Sequence, residues 1–309
     1  MDARSRLTTS AATFLDLLDA GQRGEASLPF DGSERTTWAY WPTARRGVPL
    51  WALSRPQAKT AFRLLAALVA PPAFARAMAV IALEEVLDQI EGGRSDRRHS
   101  GDYWISVFGR PGSQPWGVRF EGHHVSVHAT VAADDVTLTP LFLGANPAVV
   151  RDAGHAVVAP LAVEERLGFD LLHALTVEQR STATLSDEAP ADIVTRNLPR
   201  LNAPLDTAGV PLSALAGAAA HAGRELVRVY LDRFPEGVAR PATEDLRFGW
   251  AGAPEPGHGH YYRLAGHRLL VELDNTQNGA NHVHTVVRNA GADFGEDLLL
   301  AHYRRSHSG

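Results

Sequence analysis

Two histidines and two carboxylates fall on one predicted hairpin near the end of the chain. His282 and His284 are separated by a single residue, Val283. On a strand, two such side chains lie on the same face about 6–7 Å apart, and both can reach a single cation. Glu272 and Asp274 alternate in the same way on the preceding strand. If the hairpin closes symmetrically about Asn278, Glu272 lies opposite His284 and Asp274 opposite His282. The pattern predicts a metal site with Glu272 as the third ligand, the two-histidine, one-carboxylate arrangement of many catalytic metals.

The same alternation has a plainer interpretation. A polar, solvent-facing sheet surface with a histidine–carboxylate pair shows the same pattern. A register slip of one residue also turns Glu272 and Asp274 away from the histidines. Taken alone, this hairpin favours the two interpretations equally.

A second histidine group lies in the run from Arg119 to His128. If this run is a strand, His124, Ser126 and His128 share one face and His123 points to the other. His124 and His128 are then about 13 Å apart, too far for one ion. We therefore expect His124, rather than His128, to join the first group as a fourth ligand. For any one of these histidines, a hydrogen-bonded structural role is the alternative.

A divalent ion in such a site would activate water for hydrolysis of a small-molecule substrate. Asp274 or Glu121 then serves as the general base, and Arg119 or Arg288 binds a substrate anion. Zinc is the ion expected for this chemistry. Further candidate residues near the site are His123, His128, His302 and Tyr262.

Two other functions use the same residues. Iron, copper or manganese held by these ligands would support redox chemistry with dioxygen. A non-catalytic protein that binds a small molecule or stores metal is the third hypothesis. The mixture of carboxylates and imidazoles favours acid–base catalysis over simple binding.

The candidate residues fall on two groups of predicted strands that are separated by helices. Runs rich in β-branched and aromatic residues predict two β-meanders, at about residues 103–142 and 246–288. Segregated strands and helices favour an α+β fold with an antiparallel sheet, as a single domain over residues 1–309. The irregular run from Ser186 to Ala208 is a boundary or, less favoured, a lid. Helices are predicted within the N-terminal portion, about residues 1–95, packed on the sheet, and at about residues 162–185, 212–234 and 294–304.

Composition excludes several classes of function. The 309 residues include no cysteine, which excludes disulfides, thiolate ligands and cysteine nucleophiles and leaves His, Asp, Glu and water for a metal. The net charge is −5 and the basic residues are spread along the chain, so we expect no nucleic acid and no membrane as a partner. Without a membrane-length apolar run or a secretory signal, a cytoplasmic location is expected. The sequence does not indicate the oligomeric state.

The chain resembles a bacterial family known only as domain of unknown function 3500. The resemblance covers nearly the whole chain, and it implies no reaction, so the functional hypotheses depend on the site. The motifs that carry it are Trp38-Ala39-Tyr40-Trp41-Pro42, Gly122-His123-His124-Val125-Ser126, Thr139-Pro140-Leu141-Phe142-Leu143-Gly144-Ala145-Asn146-Pro147, Tyr262-Arg263, Glu272-Leu273-Asp274, His282-Val283-His284 with Arg288, Asp293-Phe294-Gly295-Glu296-Asp297-Leu298-Leu299 and His302-Tyr303.

Overall fold

A computed structural model describes residues 2–93, 98–133, 135–201 and 205–300. Its helices lie before, between and after two groups of strands, as the sequence predicts. The predicted closing helix has a 3-10 turn at Asp293–Gly295 and helical residues at 296–300, and its remainder, with His302, lies outside the described residues. The α-helices are α1 (Ala3–Leu17), α2 (Ala20–Ala26), α3 (Arg55–Leu68), α4 (Pro71–Ile90), α5 (Ala162–Ala174), α6 (Val177–Ala183) and α7 (Gly217–Leu231).

Local sequence signals explain where the N-terminal helices begin. Ser54 caps α3 and forms a capping box with Gln57, which satisfies backbone groups that the first turn leaves free. Pro71 and Pro72 end one helix and also begin the next, because proline fits the first turn, where its missing N–H is not needed. The structure thus confirms helices at both places.

The strands lie between and after these helices. Their bounds place a two-residue turn between the second and third long strands, where the sequence interpretation expected one continuous strand through His124. The strands are β1 (Ser27–Leu28), β2 (Val48–Pro49), β3 (Tyr103–Phe108), β4 (Trp116–Gly122), β5 (Val125–Ala132), β6 (Asp135–Thr137), β7 (Leu141–Ala145), β8 (Val150–Asp152), β9 (His155–Val158), β10 (Thr184–Ser186), β11 (Val210–Pro211), β12 (Arg247–Gly252), β13 (His260–Ala265), β14 (Leu269–Gln277) and β15 (His282–Asn289).

Both meanders belong to one sheet. Among the described residues the strand order is β1-β3-β4-β5-β7-β15-β14-β13-β12-β10, with β2, β6 and β11 attached to β3, β5 and β12. The antiparallel pairing of β7 with β15 joins the two meanders. Within the described part of the chain, the pairing is parallel where β1 and β10 are added at the ends of this order and antiparallel elsewhere. The predicted α+β fold, with its largely antiparallel sheet, is confirmed.

The two faces of the sheet differ in character. Val271, Val283 and Val287 belong to the main apolar core, which α1, α3, α4, α5 and α7 also supply, as the odd-numbered positions of the terminal hairpin predict. Their even-numbered neighbours share the opposite face, because strand side chains alternate. A small apolar cluster of Trp38, Tyr40, Phe142, Ile193, Val286 and Phe294 lies on this opposite face.

An irregular segment, residues 190–198, crosses this opposite face, and we call it the strap. Ile193 is fully buried in the small apolar cluster. The Asn197 amide donates to the Trp38 carbonyl, and Arg288 donates to the Leu198 carbonyl. Residues 190–198 of the run that the sequence suggests as a boundary or lid are therefore packed on the sheet.

Candidate metal centre

Three histidines from distant parts of the chain meet on the opposite face of the sheet. His124, His282 and His284 each offer a ligand atom, and these atoms lie within 4.8 Å of one another. The Nε2 atoms of His124 and His282 are 2.8 Å apart. The Nε2 atom of His284 is buried and has no hydrogen-bond partner among the described residues. The structure thus brings His124 together with the two histidines of the terminal hairpin.

A tight turn delivers His124 to the cluster. His123 and His124 form the turn between β4 and β5, and His124 has a φ of 62°. Its N–H donates to the Tyr40 carbonyl, and its carbonyl accepts from the N–H of Gly144. A Cβ on Gly144 would lie only 2.9 Å from the His124 ring and 3.0 Å from the His284 ring. Glycine at position 144 therefore permits the two rings to converge.

The register of the terminal hairpin differs by two residues from the symmetric prediction. Asp274 pairs with His284, and Glu272 pairs with Val286. The pairing is irregular between Asp274 and Gln277, and His282 lies opposite Gln277. This irregularity breaks the symmetry about Asn278, while the even-numbered residues still share one face.

Glu272 is not placed as a metal ligand, contrary to the expected third position. Its buried carboxylate accepts hydrogen bonds from the N–H groups of Val194 and Thr195, from the Thr195 hydroxyl and from the Tyr261 hydroxyl. These donors occupy both oxygens, and Glu272 is absent from the ligand clusters of the described residues. Its role in the structure is to fix the strap to the sheet.

Asp192, on the strap, orients His284. Its Oδ1 atom is 2.7 Å from His284 Nδ1, and its Oδ2 atom accepts from the Tyr40 hydroxyl at 2.8 Å. Burial favours a raised pKa for Asp192, but the hydrogen bonds from His284 and Tyr40 hold its pKa below the ordinary value. An ionised Asp192 fixes the proton on His284 Nδ1 and leaves the lone pair on Nε2, as in metal-binding histidines that donate to a carboxylate.

Burial and nearby charges keep two imidazoles of the cluster, those of His124 and His282, in the neutral form. Burial, followed by the charges of neighbouring histidines, lowers the pKa of His124 well below its ordinary value. Burial and His284 lower the pKa of His282 to about 3. Neutral imidazole is the form that binds metal, so these rings are ready for ligation at neutral pH.

A carboxylate from α4, that of Glu84, lies next to the two histidines of the turn between β4 and β5. Glu84 on α4 places Oε1 2.5 Å from His123 Nδ1, and Glu84, His123 and His124 form a second group of ligand atoms within 4.8 Å. Burial raises the pKa of Glu84 to about 8. Arg98 lies 3.3 Å from His123 Nδ1.

A cleft of about 720 Å³ opens beside this second group. Glu84 and His123 contribute to its wall, so two residues of the second group border a space large enough for a small molecule. The polar residues around it include Arg45, Glu91, Arg98 and Asp102, with Trp104 as an aromatic wall.

Three candidates from the first meander are buried away from the three-histidine cluster, and two of them, Glu121 and His128, contact the same hydroxyl. Glu121 pairs with Arg45 at 3.0 Å and accepts from the Ser126 hydroxyl at 2.7 Å. His128 Nε2 is 2.9 Å from the same hydroxyl. Arg119 donates to the carbonyls of Glu34 and Thr37. Arg119 and Glu121 border a second cavity of about 430 Å³ that does not include the metal-site histidines.

Of the remaining candidates, Asp274 lies beside the cluster, Arg288 is engaged in an ion pair, and Tyr262 lies in the main core. Asp274 pairs across the hairpin with His284, its Oδ2 atom is buried without a partner among the described residues, and burial raises its pKa to about 7. Arg288 is buried and pairs with Asp293 at 2.6 Å. Tyr262 belongs to the main core on the other face, with its hydroxyl 2.6 Å from that of Tyr230. The structure therefore corrects the expected placement of Tyr262 near the site.

Sequence reasoning missed Glu84, Asp192 and Tyr40. Glu84 had a usable signal, because it lies four residues after Val80 and three before Leu87, on the core-facing side of an apolar helix. Asp192 is in an irregular segment, where no periodicity predicts a contact with His284. Tyr40 belongs to the aromatic motif Trp38-Ala39-Tyr40-Trp41-Pro42, but nothing in that motif predicts its contact with Asp192.

A family model described as "Protein of unknown function (DUF3500)" matches residues 2–296. The chain belongs to the DUF3500 family. No curated protein matches the chain, and no solved structure does either. For this DUF3500 chain, the buried histidine and glutamate groups could hold a metal ion. Among its described residues, no helix is both long and apolar enough to cross a membrane.

Proposed function

We propose that this DUF3500 chain is a metal-dependent enzyme that hydrolyses a small molecule, with one divalent ion held by His124, His282 and His284. The observation that carries the proposal is the convergence of three histidine ligand atoms within 4.8 Å of one another, at a place where His124 and His284 are buried. Asp192 occupies one nitrogen of His284, while the other nitrogen is buried and unpaired among the described residues. A buried acceptor without a donor is costly, and a cation bound there would remove that cost.

The spacing of the nitrogens suits a tetrahedral ion after a small adjustment. Zinc binds histidine nitrogens at about 2.0–2.1 Å, so two ligands of a tetrahedral site are about 3.3 Å apart. His124 and His282 are 2.8 Å apart, and their rings need to separate by about half an ångström. Three histidine ligands leave a fourth position for water or substrate, the arrangement of a catalytic zinc site.

The absence of a carboxylate from this ligand set favours hydrolysis. Three neutral ligands leave the full double charge on the ion. Such an ion would act as a Lewis acid and lower the pKa of a bound water towards neutrality. Asp274 is the stronger general-base candidate, because one of its oxygens has no partner among the described residues whereas both oxygens of Glu121 are engaged. Its register pairing with His284 places the two Cβ atoms about 4.5–5.5 Å apart.

A redox enzyme is the second candidate function. Imidazole ligands suit iron and copper as well as zinc, and the three-histidine set therefore supports oxygen chemistry with the same residues. A non-catalytic metal-binding protein is the third candidate. Metal identity and turnover distinguish these functions from hydrolysis.

The test compares metal-free and reconstituted protein. We expect the metal-free wild type to be inactive against a panel of esters, amides and phosphate esters, and added zinc to restore hydrolysis of at least one class. His284→Ala should remain inactive with zinc, while His173→Ala, which changes a histidine bonded to the Pro254 carbonyl, should behave as wild type. Full activity in the metal-free protein would contradict the proposal, as would oxygen consumption with bound iron or copper and no hydrolysis with zinc.

A further inference from the structure

We propose that Glu84, His123 and His124 form a second cation site, so that the ring of His124 lies between two divalent ions. The inference rests on the proposed function for the first ion, held by His124, His282 and His284. It adds a second ion, which shares His124 with the first ion and takes Glu84 and His123 as its other ligands. This second ion lies on the side of the cluster that faces the cleft.

The geometry of the three residues meets the requirement for a shared ion. One ligand atom from each lies within 4.8 Å of the other two. The carboxylate and the His123 ring are already in contact at 2.5 Å, and the centroids of the His123 and His124 rings are 3.7 Å apart. All three side chains are buried, with at most 7% of any residue exposed. One carboxylate and two imidazoles are ligands that zinc accepts.

The turn between β4 and β5 is what brings the two rings together. Consecutive residues on a strand point to opposite faces. His123 and His124 instead occupy the turn, and the centroids of their rings are 3.7 Å apart with the ring planes inclined by 30°. The backbone is fixed there, because the Tyr103 hydroxyl donates to the His123 carbonyl and the N–H of His124 donates to Tyr40. The two imidazoles therefore present a preorganised pair to Glu84.

The chemistry of the His124 ring allows it to serve both ions. Its Nε2 atom faces His282, which leaves Nδ1 as the second ligand atom. Binding two ions requires loss of the remaining ring proton: the N–H bond breaks, a nitrogen–metal bond forms, and the proton goes to solvent. The proton held between Glu84 and His123 Nδ1 is displaced to solvent as well. The resulting imidazolate and the Glu84 carboxylate then each contribute one negative charge against the two cations.

The cleft gives the second ion access to substrate. Glu84 and His123 border its volume of about 720 Å³, so an ion on these residues lies at the wall of a space that a small molecule can enter. A ligand with an anionic oxygen, such as a carboxylate or phosphate, is the chemical class that would coordinate there. The second ion would bind this group while the first ion activates water.

Arg98 is the charge that opposes the second ion. Its guanidinium lies 3.3 Å from His123 Nδ1 and also pairs with Glu91 at 2.9 Å. A cation beside His123 experiences repulsion from this guanidinium. Replacement of Arg98 should therefore strengthen binding of the second ion, an effect opposite to that expected of a structural defect.

The experiment is a zinc titration of chelator-treated protein by calorimetry, with elemental analysis after gel filtration. Wild type should bind two zinc ions per chain. Glu84→Gln should bind one, and the matched control Glu85→Gln, at the neighbouring exposed position, should bind two. Arg98→Gln should bind two, with the weaker constant improved about three- to tenfold, which corresponds to about 0.7–1.4 kcal/mol.

The outcomes separate this inference from the proposed function. One zinc ion in wild type, lost in His284→Ala and kept in Glu84→Gln, would overturn the second site alone. One zinc ion lost in Glu84→Gln and kept in His284→Ala would support the site on Glu84 and contradict the proposed function. No zinc in wild type would overturn both. An unchanged or weaker second constant in Arg98→Gln would count against the second site even if Glu84→Gln did not fold.

Discussion

The two faces of the sheet each bury a polar cluster, and the clusters are built differently. On the main core face, Glu164 pairs with Arg233 at 3.0 Å and with Arg76 at 3.2 Å. Arg233 also donates to the Thr285 hydroxyl. On the opposite face, the ligand atoms of His124, His282 and His284 meet, and among the described residues no carboxylate belongs to this group of three. The first cluster brings opposite charges together, and the second brings together imidazole nitrogens that can act as ligands.

This difference shows how a binding site can be distinguished from a structural ion pair. Burial alone does not distinguish them, because Glu164, Arg233 and His284 are all buried. What distinguishes them is whether the residues supply their own counter-charge. The Glu164 cluster supplies it through two arginines, whereas in the histidine cluster we propose that a bound cation is the partner of the converging ring nitrogens.

The largest expected effect comes from breaking the core cluster. Glu164→Gln leaves Arg233 buried without its carboxylate, and we expect the free energy of unfolding to fall by about 3 kcal/mol. The zinc content should not change, because the cluster lies on the other face of the sheet. Denaturant unfolding and elemental analysis check both statements. A loss below about 1 kcal/mol, or a loss of zinc, would contradict the structural role.

The next largest effect concerns the residue that orients His284. Asp192→Asn should weaken zinc binding at the three-histidine site by about 10–100-fold, because it weakens the carboxylate–histidine contact that fixes the ring. Asp187→Asn, at an exposed position in the preceding chain segment, is the matched control and should bind as wild type. Calorimetric titration measures the constants. Equal affinities in the two variants would show that Asp192 does not support the metal.

Acid should destabilise the metal-free protein through the same histidines. The pKa of His282 is about 3 and that of His124 is also lowered, whereas unfolded histidine has a pKa near 6.5. As the pH falls below about 6.5, the unfolded chain binds protons that the folded chain does not, so stability falls by about 1.4 kcal/mol per pH unit for each such histidine. His282→Asn should reduce this slope between about pH 6 and 5, as measured by urea unfolding. An unchanged slope would contradict the lowered pKa.

The smallest effect is expected at Tyr40, whose hydroxyl donates to the second oxygen of Asp192. Tyr40→Phe removes the hydroxyl that donates to Asp192 but keeps the ring stacked on Phe142. We expect a loss of about 0.5–1.5 kcal/mol in stability and zinc binding only a few-fold weaker. Thermal unfolding and zinc titration measure these changes. A loss of zinc as large as in Asp192→Asn would show that the hydroxyl itself is central to the site.

Sequence patterns predicted the sheet and its faces better than the contacts across them. Alternation in the terminal hairpin correctly separates Val271 and Val283 from Asp274 and His284, because a strand allows only two side-chain directions. The exact register depends on the irregular pairing near Gln277, which alternation does not encode. That is why Glu272 was expected beside His284 and lies opposite Val286 instead.

Contacts made by irregular segments were beyond the sequence argument. The strap has no period from which its path could be derived, yet it supplies Asp192 to His284 and donors to Glu272. The turn at His123 and His124 was interpreted as strand, since its flanking residues have strand composition. In both places tertiary contacts, rather than local preference, determine where the side chains lie.

The most direct test of the three-histidine site is to locate the ion itself. Crystals of zinc-loaded wild type measured at the zinc absorption edge should show an anomalous peak about 2.0–2.1 Å from Nε2 of His284. The same peak should lie within bonding distance of His124 and His282. Zinc-loaded crystals without a peak among these three rings would contradict the account, and the histidine cluster would then be a structural feature of the sheet.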